Sequence, residues 1–301
     1  MVLELQNICK SFGEKQVLTG ISLRTEGGKA FGILGRNGAG KTTTIRILMD
    51  VIPADSGSIL IDDAPISYKQ IGIGYLPEER GLYPKKLIID QLCYFAELKG
   101  MSHKDAVKSI DYWLERLGMS QYRSKRLDTL SKGNQQKIQL VTALAHDPDI
   151  IILDEPFSGL DPVNALLLKD VVKEQIQKGK IVLFSSHQMS YIEEFCDSIA
   201  ILRDGKIVLQ GDLQDIKRNY PRDRLVVRTQ DPASIIKDFS CTQIAPDSLM
   251  ITLHDEQDKS KVMRQLVFGY DVDEVRVFEP SLNDIFVQYA GDQEASHEAV
   301  S

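Results

Sequence analysis

Cysteine is scarce in this chain and scattered. Cys9, Cys93, Cys196 and Cys241 lie far apart and form no CxxC pair, so neither a zinc site nor a disulfide framework is expected, and a reducing compartment fits best. Long hydrophobic runs are absent as well. The longest, "IIIL" at 150–153 and "IVLF" at 181–184, are strand-sized, far below the ~20 residues that cross a bilayer. The N-terminal "MVLELQNICK" has no basic segment leading into an apolar core, so no secretory signal is expected. Positive charge is not in excess: 36 basic residues face 43 acidic ones, a formal net charge of −7. That balance excludes a broad phosphate-neutralising face, and no nucleic-acid partner is expected. The one dense basic stretch, "RSKR" at 123–126, reads as a solvated face.

What is present is ordinary globular material. With 301 residues, 43% of them hydrophobic, two domains are the natural expectation. Short β-branched runs, "AFGIL", "DIIILD", "KIVLFSS" and "IAILRDG", alternate with helical patterns, the rhythm of a mainly parallel α/β sheet. Ahead of them "LELQNICKSF" and "VLTGISLRT" alternate apolar and polar residues, as a half-exposed antiparallel pair does. From about 86 to 148 the pattern turns helical, with Ala106, Ile110, Trp113, Leu114 and Leu117 at helical spacing.

After residue 220 the pattern resets. Strands at 225–229, 242–246, 249–254 and 272–278 and helices at 232–239, 257–268 and 281–290 give the order βαββαβ plus a final helix, a small ferredoxin-like α+β unit over 221–291. The polar tail 292–301 is expected to be disordered.

Two motifs carry chemistry. "GRNGAGKT", Gly35 to Thr42, fits the phosphate-loop pattern and sits between a strand and a helix, the context that pattern requires. Its glycines let backbone N–H groups turn in around phosphate oxygens, Lys41 reaches the β and γ phosphates, and Thr42 offers a hydroxyl to Mg²⁺. In "IIILDEP" a buried strand delivers Asp154 to its carboxyl end, the place of a metal-contacting aspartate in nucleotide-hydrolysing folds. Glu155 follows, placed to polarise a water against the γ phosphate.

A third stretch, "LSKGNQQK" at 130–137, lies well downstream of the phosphate loop. A Ser-x-Gly before a helix is by itself a good N-cap. Together with "GRNGAGKT", "IIILDEP", "SGLD" at 158–161 and "SSH" ending in His187, however, it resembles the signature of ATP-binding cassette (ABC) proteins, all five elements being in the family's order. The resemblance covers roughly residues 1–215 and implies a phosphate-loop ABC fold with an antiparallel β subdomain and a helical insert over a cassette of 1–220. It implies that two cassettes dimerise head to tail, each signature completing the other's ATP site through Ser131 and Gly133.

The resemblance also assigns Gly35, Asn37, Gly38, Ala39, Gly40, Lys41, Thr42 and Thr43 to nucleotide binding. Phe12 resembles the aromatic that stacks on adenine, His187 the switch histidine at the γ phosphate, and Asp161 the carboxylate linking the two sites. Thr42, Asp154 and Glu78 would hold Mg²⁺, with Glu78 standing where the family usually has glutamine. Lys132 and Asn134 also depart from the commoner "LSGGQ". The insert, the "GNQQK" signature and the C-terminal unit resemble the ATPase subunit of bacterial exporters of the sodium-efflux and bacitracin-resistance type, which implies an ATPase at the cytoplasmic face of the membrane driving separate permease subunits. The rival expectation is a soluble cassette ATPase acting on ribosomes or nucleic acid; such relatives usually carry two cassettes and a charged linker, and no internal repeat appears here.

Overall fold

In the computed structural model, which describes residues 1–79, 81–253 and 255–290, the first alternating stretches pair as expected. Strands β1 (Val2–Phe12) and β2 (Lys15–Glu26) form an antiparallel hairpin that closes with Phe12 opposite Lys15. Their inward residues, Leu3, Leu5 and Ile8 with Leu18, Ile21 and Leu23, are buried in the main core, each such side chain stabilising the fold by roughly 1.5–3 kcal/mol. Strand β3 (Ala30–Gly35) is buried at all six positions, the mark of a central strand covered on both faces. Helix α1 (Lys41–Leu48) follows, then β4 (Ser56–Ile61) and β5 (Ala64–Pro65), which complete a sheet in the order β2-β1-β4-β5.

Next come β6 (Ile73–Leu76) and three helices: α2 (Ile88–Leu98), α3 (His103–Arg116) and α4 (Lys132–Leu144). In α3 the expected positions Ala106, Ile110, Trp113 and Leu114 are buried, and Ser102 caps the start by accepting from Asp105 N at 3.2 Å. The chain then alternates through β7 (Ile150–Asp154), α5 (Pro162–Gln177), β8 (Ile181–Ser185), α6 (Met189–Phe195), β9 (Ser198–Arg203) and β10 (Lys206–Asp212).

The second sheet runs β10-β9-β3-β8-β7-β6. All neighbours are parallel except β10 against β9. Five parallel strands therefore end at one edge, where open α/β sheets bind ligands.

Two compact units divide the chain: Met1–Leu213 with residues from Phe286 onward, and Gln214–Ile285. The second opens within α7 (Leu213–Arg218) and contains β11 (Arg224–Arg228), α8 (Pro232–Ile236), β12 (Cys241–Ala245), β13 (Ser248–Thr252), α9 (Lys259–Gly269) and β14 (Glu274–Val277), before α10 (Leu282–Ala290). Its strands are all antiparallel, in the order β12-β13-β11-β14, around Leu225, Val227, Ile235, Leu249, Ile251 and Leu266.

Two expected helices there are shorter than the sequence pattern. The first ends at Ile236, after which Asp238 N and Phe239 N share Ile235 O at 3.1 and 3.0 Å. The second starts only at Lys259, after a 3₁₀ turn at Glu256–Asp258 in which Asp255 Oδ1 accepts from Gln257 N at 2.9 Å. The tail expected at 292–301 lies outside the described residues.

Candidate active site

The phosphate loop begins at the carboxyl end of β3. A Cβ at Gly35 would lie 2.7 Å from Leu202 O, and one at Gly40, whose φ is 110°, would lie 2.5 Å from Leu18 Cδ2. Only glycine fits either position. Gly40 also leaves the start of α1 without a side-chain cap or an acidic residue in its first turn, so its N–H groups and positive dipole end are left for an anion. Lys41 folds back across the loop, Nζ donating to Gly35 O at 2.6 Å and Arg36 O at 3.2 Å. Burial pushes its ammonium pKa down, opposed by the carboxylates of Glu155, Asp154 and Glu78.

A cavity of about 460 Å³ opens over this loop. Every parallel strand supplies part of its wall. From β3 come Asn37, Gly38, Gly40, Lys41, Thr42 and Thr43; from β6, Glu78; from β7, Asp154 and Glu155; from β8, Ser185 and His187; and from β9, Asp204 and Gly205. Gly35 and Ala39 are not in the wall but shape the loop, Ala39 N donating to Arg36 O at 3.1 Å. Phe12, 51% exposed, is not in the wall, though its strand partner Lys15 is.

Asp154, 7% exposed, receives the Tyr75 hydroxyl at Oδ2, 3.3 Å away. Burial raises its carboxyl pKa and Glu155 adds to the rise, while hydrogen bonds from Ser185 and Tyr75 and the charge on Lys41 oppose it. Glu155 is held on three sides. Ser186 Oγ donates to Oε2 at 2.8 Å, and the N–H and the Nδ1 of His187 both reach Oε1 at 2.6 Å. Its φ of 49° is left-handed, a conformation that costs a non-glycine residue about 1–3 kcal/mol and persists only where the surroundings fix it. The His187 side chain is 71% exposed.

The donor set suits a hard dication. Thr42, Asp154 and Glu78 present only oxygen to one cavity, and Asp154 is a buried carboxylate that a cation would compensate. No group of three or more His, Cys, Asp or Glu forms a metal cage among the described residues. The same three residues also border a second cavity of about 640 Å³, which reaches Tyr75, Phe95 and His146.

The signature lies elsewhere. Ser131 caps α4, its Oγ accepting from Asn134 N at 3.4 Å. Asp161 caps α5, accepting from Val163 N and Asn164 N at 3.0 Å, and these N–H bonds hold its carboxyl pKa down. Asn164 also comes within 3.6 Å of where a Gly133 side chain would begin, so the signature and the "SGLD" turn are neighbours. Neither Ser131, Gly133 nor Asp161 lines the phosphate cavity.

The comparisons with known proteins agree with this geometry. A family model described as "ABC transporter" matches residues 18–158, and one described as "ATP-binding protein DrrA1-3-like, C-terminal domain" matches 211–290. An uncharacterized ABC transporter ATP-binding protein, YhaQ of Bacillus subtilis, is 40% identical over 96% of this chain and 99% of its own length. This chain belongs to the ABC transporter ATP-binding protein family. The linearmycin resistance ATP-binding protein LnrL of the same organism is 32% identical over 76% of this chain and 75% of its own. A solved ATP-binding subunit of an ABC transporter superposes with a TM-score of 0.67 at 29% identity, covering 73% of this chain and 93% of that one. This ABC protein is thus an ATPase of the kind coupled to transport, with the α/β cassette fold.

Sequence reasoning missed Ser186, Tyr75 and the Asp204–Gly205 turn. The last had a signal in its DG pair, since such pairs mark turns. Ser186 lies within "SSH", where only the histidine has an evident role, and Tyr75 had none, because a tyrosine within a strand is commonplace.

Proposed function

We propose that this chain is the ATP-hydrolysing subunit of a bacterial ABC exporter, acting at the cytoplasmic face of the membrane on separate permease subunits. The observation that carries the catalytic part is Glu155, held rigidly by Ser186 and His187 at the wall of the cavity that contains Lys41. An exporter is supported by the printed names of relatives, a linearmycin resistance protein and a Nod factor export protein of Burkholderia lata. No helix among the described residues is long and apolar enough to cross a membrane, so the crossing falls to other subunits.

In this reading the α1 N-terminus and Lys41 bind the phosphates and Phe12 stacks on adenine. Thr42, Asp154 and Glu78 would hold Mg²⁺, which would neutralise phosphate charge. Glu155 orients a water whose oxygen forms a bond to the γ phosphorus as the bond to the β–γ bridging oxygen breaks, releasing ADP and phosphate. His187, exposed beside Glu155, contacts the γ phosphate. Ser131 and Gly133 serve the ATP of a second cassette and Asp161 links the two sites, in line with the position of all three outside the cavity of their own chain. Functionally we divide the chain into a cassette at 1–220, with its helical subdomain at about 86–148, and a ferredoxin-like unit at 221–291.

The test compares wild type, Lys41→Ala and Glu155→Gln for phosphate release, ATP-dependent dimerisation and co-purifying membrane proteins. Glu155→Gln is expected to bind ATP, dimerise, bring down an integral membrane protein and hydrolyse about a hundredfold or more slowly. Hydrolysis at the wild-type rate would remove Glu155 from its role. Recovery of ribosomes in place of a membrane protein would favour the soluble-cassette reading.

A further inference from the structure

The segment Glu155–Pro156–Phe157 is held at each of its residues, Glu155 and Phe157 by the stretch from β8 to α6 and Pro156 by α4. Glu155 is held through its carboxylate by Ser186 and His187. The Phe157 ring, only 4% exposed, stacks on Tyr191 with centroids 4.1 Å apart and lies against Phe195 at 5.5 Å and Phe184 at 6.4 Å. Tyr191 and Phe195 belong to α6, which starts two residues after His187. Lys169 in turn sits over the Tyr191 ring at 5.1 Å and bonds Glu194. Such a block of packed rings moves as one body rather than yielding ring by ring.

The remaining grip, on Pro156, comes from the signature helix. Gln136 Nε2 donates to Pro156 O at 3.0 Å. Gln136 lies in the second turn of α4, the helix that Ser131 caps. The preceding Gln135 ties the approach to that helix by donating to Leu130 O at 2.9 Å. The two neighbouring glutamines of "GNQQK" thus do different work, one bracing the signature turn and the other reaching the loop that carries Glu155.

We propose that Gln136 is a positioning residue for hydrolysis, passing the seating of α4 to Glu155 through the Pro156 carbonyl. With Phe157 locked and Glu155 in a left-handed backbone conformation, the loop has no slack in which to absorb a shift of α4, so the shift appears at the Glu155 carboxylate. The inference rests on the proposed reading of Glu155 and of the composite sites. It extends that reading by linking the signature of each chain to that chain's own catalytic loop. Occupation of the partner's ATP site, sensed at Ser131 and Gly133, then sets how well this chain hydrolyses its own ATP, and the two sites act cooperatively.

The test uses the full-length protein with Gln136→Glu, which keeps the shape of the side chain but replaces its N–H donor, and Gln136→Leu. Steady-state ATPase is measured against ATP concentration, and nucleotide affinity separately with a fluorescent ATP analogue. Each variant is expected to lose about ten- to a hundredfold in kcat, to keep its nucleotide affinity, and to show a Hill coefficient falling towards one. Gln136→Arg, which restores an N–H donor on a long chain, should recover part of both. If both variants fold and retain the wild-type kcat and Hill coefficient, or if the only change is in nucleotide affinity, the inference fails. Glu155→Gln is assayed alongside: its slowing with Gln136 indifferent rejects only the relay, whereas wild-type turnover by Glu155→Gln rejects the underlying reading.

Discussion

Ser186 donates its hydroxyl to one oxygen of Glu155 at 2.8 Å while its own oxygen accepts from Gln188 N at 3.0 Å. The serine is therefore fixed from behind before it orients the carboxylate. It is 2% exposed and Glu155 is 5% exposed, so loss of the donor leaves a carboxylate oxygen buried without that partner. Ser186→Ala is expected to lower kcat by about tenfold, with nucleotide affinity unchanged. Phosphate-release kinetics at saturating ATP check it, and an unchanged kcat would leave Ser186 a purely structural residue.

Asp154 sets stability against function. Its pKa is raised above the ordinary value of 3.8, so its contribution to stability is full below that value and is lost as pH rises through the folded pKa. At neutral pH the ionised group is a cost to the ligand-free fold. Asp154→Asn should therefore raise the melting temperature of the ligand-free protein by a few degrees, while removing Mg²⁺-dependent ATPase. A melting temperature equal to or below wild type, measured at pH 7.5 without nucleotide, would contradict the first half.

His146 behaves oppositely. Its Nε2 bonds Ile73 O at 3.2 Å, while Nδ1 is buried with no hydrogen-bond partner among the described residues. Burial first and the charge on Lys99 second push its pKa below 6.5; the hydrogen bond to Ile73 and Asp147 pull it up, and Lys180 again opposes protonation. A depressed folded pKa means stability that is present above 6.5 and lost as pH falls from there towards the folded value. Between pH 7.5 and 5.5, wild type should lose more thermal stability than His146→Gln, which keeps a donor but does not titrate. Parallel melting curves for the two proteins would refute this.

Gly205 has a φ of 74°, and a Cβ there would lie 2.3 Å from Val17 O. It also ties the phosphate loop to β2, Gly205 N donating to Ala39 O at 3.2 Å and Gly205 O accepting from Thr19 N at 2.9 Å. Gly205→Ala should destabilise the protein by about 1–3 kcal/mol and weaken nucleotide binding along with it. Urea unfolding and a nucleotide titration measure the two effects.

How much of this was legible in the sequence depended on whether a feature is local. The phosphate loop could be read because glycine spacing, lysine and helix start all fall within eight residues. Strands β3, β7 and β8 could be read because they are buried on both faces and so run apolar without a break. The edge strand β12 gave a poor signal because its middle three residues are exposed, which removes the alternation that marks a half-buried strand. Tyr75 and Asp154 meet because β6 lies beside β7, and Gln136 meets Pro156 because α4 lies near the end of β7. Such meetings are decided by topology, and no single stretch of sequence announces them.

Ser131 and Gly133 stand outside the cavity that contains Lys41. On the composite-site reading this has a genetic consequence. A copy with a broken signature still binds ATP normally, yet disables the site on whichever chain it joins. With equal amounts of broken and intact chains pairing at random, only about a quarter of dimers would keep both sites whole. Such alleles would act dominantly, poisoning intact copies made in the same cell instead of merely failing to contribute.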